Sequence, residues 1–80
     1  MDPKANVLVR NISLEVTQQE LYDTFAKFGG IRSCKLEMFP DGKSRGFGYI
    51  QFENAETADK AIEESGDIEF NGKPVEVLAH

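Results

Sequence analysis

Hydrophobic residues recur along this chain with two periods, alternate positions in some stretches and every third or fourth position in others, and the switches between them divide it into strands and helices. From Asn6 to Ile12, Val7 and Val9 fall on one side and Leu8 and Arg10 on the other, which predicts a short strand with β-branched residues on its core face. Thr17 and Glu20 are spaced as a capping box, with Val16 and Leu21 placed as a hydrophobic staple, so a helix is expected to start there. Leu21, Phe25 and Phe28 then form one buried stripe, and Gly29-Gly30 should stop the helix. Ile31 to Phe39 alternates Cys34, Leu36 and Met38 with Lys35, Glu37 and Phe39, and Pro40-Asp41-Gly42 turns the chain into a further strand ending at Phe52. Asn54 is a good N-cap for a second helix whose apolar side is Ala58, Ala61 and Ile62, and Gly66 is expected to end it. Phe70-Asn71-Gly72-Lys73 offers a tight hairpin turn, after which Val75 and Val77 alternate with Glu76 and Leu78 in a final strand.

The order β-α-β-β-α-β predicts an α+β, ferredoxin-like fold, a four-stranded antiparallel sheet with both helices on one face and the other face bare. Within the strand ending at Phe52, period-two alternation sends Ile50 and Phe52 toward the helices and leaves Arg45, Phe47, Tyr49 and Gln51 on the bare face. The opposite register would expose Gly46, Gly48 and Ile50 and leave nothing to fill the space beneath the helices. Rings on an open sheet forgo burial in the free protein and call for a partner, and unpaired bases suit because every base has a π-face. Arg10, Lys35 and Gln51 share that face, positioned to hydrogen-bond base edges.

Eighty residues with 40% hydrophobic content suffice for one small core and no more, which predicts a single domain over residues 6–80 behind a lead-in or linker at 1–5. No long apolar run or charged-then-apolar leader is present, so an intracellular setting is expected, cytoplasm, nucleus or both, with no membrane partner. The lone Cys34 excludes an internal disulfide and a multi-cysteine zinc site and reads as a small hydrophobe. There is no Cys-His or Ser-His pairing with support, and no metal-ligand cluster; the carboxylates read as helix-face charges. No enzyme, metal or cofactor is therefore expected. Gly46 and Gly48 lie in a strand, without the following Lys-Ser/Thr of a phosphate-gripping loop. His80, terminal and without a partner pair, reads first as a disordered end or tag remnant and second as a residue that touches a strand of nucleic acid emerging past the last β-strand.

Net charge runs against nucleic-acid binding at first sight, since −5 and a pI of about 4.7 do not suit a protein held mainly by phosphates. Distribution changes that picture. Arg32, Lys35, Lys43 and Arg45 face only Glu37 and Asp41 in their stretch, whereas Glu53, Glu56, Asp59, Glu63, Glu64, Asp67 and Glu69 crowd the next with Lys60 alone opposing. With the acidic stretch behind the sheet, the open face is locally positive although the molecule repels polyanions at a distance, and modest affinity follows.

The octapeptide Arg45-Gly46-Phe47-Gly48-Tyr49-Ile50-Gln51-Phe52 reads basic-Gly-aromatic-Gly-aromatic-aliphatic-x-aromatic, and Val7 to Ile12 occupies the slot of a second motif in the first strand. On these residues the chain resembles the RNA-recognition motif family over residues 6 to 79. That resemblance implies that Phe47 and Tyr49 stack on bases or insert between riboses of single-stranded RNA and that Arg45 pairs with phosphate. The hexamer departs from the family at Leu8, where an aromatic is usual; leucine packs on a base by dispersion without stacking geometry. Leu21-Tyr22-Asp23-Thr24-Phe25, Phe28-Gly29, Ile31 and Ser33-Cys34-Lys35 are similar to the second such domain of poly(A)-binding proteins. This narrower likeness implies adenosine-rich mRNA and sister domains in a longer parent chain. The alternative is a domain of this fold that binds protein, for which the acidic helical side is the natural surface. Such variants carry Arg-x-Phe before the last strand, and residues 66 to 74 hold none.

Overall fold

A computed structural model describes residues 5–80. The elements are β1 (Asn6–Arg10), α1 (Gln18–Ala26), β2 (Ile31–Met38), β3 (Ser44–Phe52), α2 (Ala55–Glu63), a 3-10 turn (Ser65–Asp67), β4 (Glu69–Phe70), β5 (Lys73–Pro74) and β6 (Glu76–Ala79). The main sheet has the order β2-β3-β1-β6 with every neighbouring pair antiparallel, so the ferredoxin-like α+β arrangement expected from the sequence is the one observed. β1 and β3 are central, flanked on both sides, which makes the middle of the sheet its most constrained part.

The core lies between one face of this sheet and the helices. Val7, Val9, Ile50 and Phe52 from the central strands meet Leu21 and Phe25 of α1 and Ala58 and Ala61 of α2, all at most 1% exposed. Alanine at both α2 positions lets the helix backbone approach the sheet. Cys34 is half-buried against the same cluster, and burial pushes its thiol pKa up, which keeps it a packing group rather than a thiolate.

Side chains begin both helices. The Glu20 N–H donates to Thr17 Oγ1 at 3.2 Å, and the Thr17 hydroxyl is 3.2 Å from Glu20 Oε1. Asn54 Oδ1 accepts from the Thr57 N–H at 3.0 Å and from the Thr57 hydroxyl at 2.8 Å. With two bonds converging on one acceptor, Asn54→Ala is expected to cost about 1 kcal/mol. Thermal denaturation followed by circular dichroism should show this as a fall in Tm of roughly 4–8 °C. An unchanged Tm would mean that water replaces the cap in full.

Several sequence expectations need correction. β1 ends at Arg10 rather than Ile12, because Asn11 takes a φ of 62° and turns the chain so that Ile12 enters the core. Gly66 does not end α2: the helix stops at Glu63, and bonds from Asp67 N–H to Glu64 O and from Ile68 N–H to Ser65 O tighten the chain into the 3-10 turn that buries Ile68. The Asn71-Gly72 turn forms as expected, both residues at positive φ, but β4 and β5 pair only with each other, as a ribbon apart from the main sheet. Met38 alternates with Leu36 in sequence yet is 48% exposed, at the turn end of the β2-β3 hairpin. The lead-in expected at 1–5 falls on residues outside those described except for Ala5, which is buried in the core at 1% exposure.

Candidate nucleic-acid interface

The sheet face away from the helices carries the residues singled out in the sequence. Tyr49 on β3 pairs across the sheet with Lys35 on β2 and Leu8 on β1, and Leu8 in turn with Leu78 on β6, giving one transverse row of side chains. Gln51 pairs with Asn6 and Ser33 in the next row. Phe47 and Tyr49 are half-exposed, with ring centroids 6.0 Å apart and planes at 87°. This edge-to-face contact fixes both rings before any ligand arrives.

One irregularity shapes the site. Leu36 pairs with Gly48 but Met38 pairs with Ser44, so two steps along β2 match four along β3 and the strand bulges across Arg45 to Phe47. Gly46, at φ +82°, supplies the backbone conformation that a side-chain-bearing residue rarely adopts, and its carbonyl accepts the Ile12 N–H at 2.9 Å. The bulge therefore ties β3 to the chain leaving β1. It also re-aims Arg45, whose guanidinium carbon lies 5.0 Å from the Phe47 ring centroid and 5.6 Å from that of Phe39. Both distances fall within cation–π range.

Beside the rings, a groove of about 580 Å³ runs between the end of β1 and the β4-β5 ribbon. Leu8, Arg10, Phe47, Tyr49, Arg45 and Lys73 line it, together with Leu14 from the β1-α1 connection. The site is apolar along its floor and cationic at its rim. Arg10 is not a free cation, because Glu76 Oε1 lies 3.5 Å from it, and Lys35 is 3.9 Å from Glu37. Among the described residues Arg45 and Lys73 have no carboxylate within ion-pair distance.

Sequence reasoning brought Leu8, Arg10, Lys35, Arg45, Phe47, Tyr49 and Gln51 to this face, and the structure places all of them there. It misjudged His80. The His80 N–H donates to the Asn6 carbonyl at 3.2 Å, extending the β6-β1 pairing, and the imidazole lies 4.8 Å from the Tyr49 ring at 48°. Leu78, Lys73 and Phe39 were also missed as members of this surface. Alternation in the final strand carried the signal for Leu78; Lys73 belongs to the two-residue strand β5, too short for any periodicity to report a face.

Comparison with known proteins agrees with the geometry. The RNA recognition motif model matches residues 7–76. A polyadenylate-binding protein, cytoplasmic and nuclear, of Chaetomium globosum is 47% identical over 72 residues, covering 90% of this chain and 9% of that protein. Polyadenylate-binding protein 5 of Arabidopsis thaliana is 42% identical over 72 residues, covering 90% of this chain and 11% of its own length. The chain thus spans about a tenth of the curated relatives it matches. Among solved structures, the RNA binding protein PG1 superposes with a TM-score of 0.86 at 31% identity, covering 95% of this chain and 93% of that one. The Sxl-lethal protein in its RNA complex gives 0.88 at 25% identity, covering 95% and 46%. An octamer on a central strand with its rings outward, the sheet order β2-β3-β1-β6 and a family match over residues 7–76 converge, and the chain belongs to the RNA recognition motif family.

Proposed function

We propose that this domain binds single-stranded RNA, holding two to four nucleotides across the open sheet by stacking bases on Phe47 and Tyr49 with Arg45 along the backbone. The observation that carries this reading is the pair of half-exposed rings, set 6.0 Å apart on a face that no helix among the described residues covers. Leu8 supplies apolar contact beside them, while Gln51, Lys35 and Arg10 offer hydrogen bonds to base edges. For Arg10 and Lys35 this requires exchanging a carboxylate partner for RNA. Polyadenylate-binding proteins among the relatives support adenosine-rich RNA as the ligand, an intracellular setting and sister domains in the parent chain. Tandem copies would raise avidity through effective concentration.

Titration of fluorescently labelled oligo(A), oligo(U) and oligo(C), followed by anisotropy at several salt concentrations, tests the reading. Oligo(A) is expected to bind most tightly. With few unpaired cations on the face, log Kobs against log salt is expected to slope by only about −1 to −2, at about −0.7 per phosphate neutralised. A slope steeper than about −4 would mean that phosphate contacts, not rings, dominate. Absence of binding to all three oligomers would overturn the proposal and direct attention to the acidic helical side as a protein-docking surface.

A further inference from the structure

Phe39 is 51% exposed at the end of the β2-β3 hairpin, an expensive place for a large ring with no packing role in the core. Its only engagement among the cation–π and aromatic contacts of the described residues is with Arg45, whose guanidinium is also within cation–π range of Phe47. Contacts then continue without a gap: Phe39 to Arg45 at 5.6 Å, Arg45 to Phe47 at 5.0 Å, Phe47 to Tyr49 at 6.0 Å, and Tyr49 to His80 at 4.8 Å. Three of these five planar groups, Arg45, Phe47 and Tyr49, stand on β3, while Phe39 follows β2 and His80 follows β6; Leu8 on β1 offers no ring.

We propose that Phe39 is a further stacking position for RNA, reached through the Arg45 guanidinium, and that it extends the platform by a base beyond Phe47 at the hairpin end. The inference rests on the RNA-binding function proposed for the open sheet. Its physical basis is the geometry of arginine. A guanidinium presents two π-like faces and an edge of N–H donors, so one within cation–π range of both Phe39 and Phe47 can stack on rings and still offer its edge to a phosphate. Arg45 then holds the backbone between two stacked bases while its planarity keeps the two rings in line. The bulge at Gly46 is what makes this arrangement reachable, since it re-aims Arg45 toward the hairpin.

The test compares an oligoadenylate of about three nucleotides, within the two to four proposed for the sheet, with one of about six, long enough to reach the hairpin end as well. Anisotropy would be read for wild type, Phe39→Ala, Phe39→Leu, Phe39→Trp and Phe47→Ala, each also made in an Arg45→Lys background. Phe39→Ala and Phe39→Leu are each expected to weaken the longer oligomer at least about fivefold and the shorter by less than about twofold. Phe39→Trp should bind as wild type, because it restores a ring. With Lys at 45, which keeps charge but has no plane, the loss caused by Phe39→Ala should largely disappear, since the two residues act as a unit. Equal binding of the longer oligomer by Phe39→Ala and wild type, with Phe47→Ala impaired, would overturn the Phe39 inference and leave RNA binding by the sheet standing. The Phe39 inference also falls if Phe39→Leu binds normally, or if both oligomers weaken alike, because an apolar prop would then explain the residue. No binding of either oligomer by wild type would remove both.

Discussion

A Phe47→Ala, Tyr49→Ala double variant should lose about 2–6 kcal/mol of RNA-binding free energy, at about 1–3 kcal/mol for each stacked base. In a domain of modest affinity this amounts to the disappearance of measurable binding. The fold should survive, because both rings stand on the open face and neither is part of the buried core. Each ring also braces the other through the edge-to-face contact, and Tyr49 is in contact with the His80 imidazole as well. The single variants are therefore expected to lose more in sum than the double variant does, a sign of coupling rather than independent contribution. Anisotropy titration of oligo(A), with thermal denaturation as the folding control, reads both quantities. Retention of binding within about twofold in the double variant would place the ligand elsewhere on the molecule, whatever the change in stability.

Gly48→Ala should act on the fold itself. A Cβ at this position would lie 2.5 Å from the Lys35 carbonyl oxygen, 3.2 Å from the Leu36 Cα and 3.2 Å from Leu21 Cδ2. Two of these atoms are backbone, so the conflict cannot be relieved by rotating a side chain; β2 must move away from β3 or α1 must lift. Overpacking of this kind costs about 1–3 kcal/mol. For a domain of this size each 1 kcal/mol lowers Tm by about 4–8 °C. Because Gly48 stands between Phe47 and Tyr49, the same displacement should spread the rings and weaken RNA binding among molecules that remain folded. Gly66→Ala is the control, with open space at its Cβ and no positive φ, and should leave Tm unchanged or slightly raised. Equal melting temperatures for Gly48→Ala and wild type would show that the sheet accommodates the methyl group in spite of these short approaches.

The features legible in the sequence share a short physical range. Capping at Thr17 and Asn54, the turn at Asn71-Gly72 and the alternation that turns Phe47 and Tyr49 away from Ile50 and Phe52 each depend on residues a few positions apart. What escaped depends on contacts between distant segments. The shift in β2-β3 pairing comes with a bond from the Ile12 N–H to the Gly46 carbonyl, far apart in sequence, and alternation, which puts Phe39 on the side of Lys35, does not reveal how near it comes to Arg45. His80 likewise owes its place to β1, through the Asn6 carbonyl, rather than to any periodicity of its own. Gly66 misled for a different reason: residue type suggested a cap, but the need to bury Ile68 set where the helix gave way. The ion pairs of Arg10 and Lys35 required strand register, which composition alone does not fix.

The segregation of charge, with Glu56, Asp59 and Glu63 exposed along α2 behind the sheet, has a consequence for which nucleic acids this domain leaves alone. A duplex keeps its bases stacked inside and presents mainly phosphate, so it has nothing to exchange with the rings and meets only a net negative molecule. A single strand meets the same repulsion but recovers it through its unstacked bases. Discrimination between the two thus needs no contact dedicated to strandedness: the acidic helix disfavours every polyanion, the denser duplex most, and only a strand that can open its bases gains the stacking that offsets it.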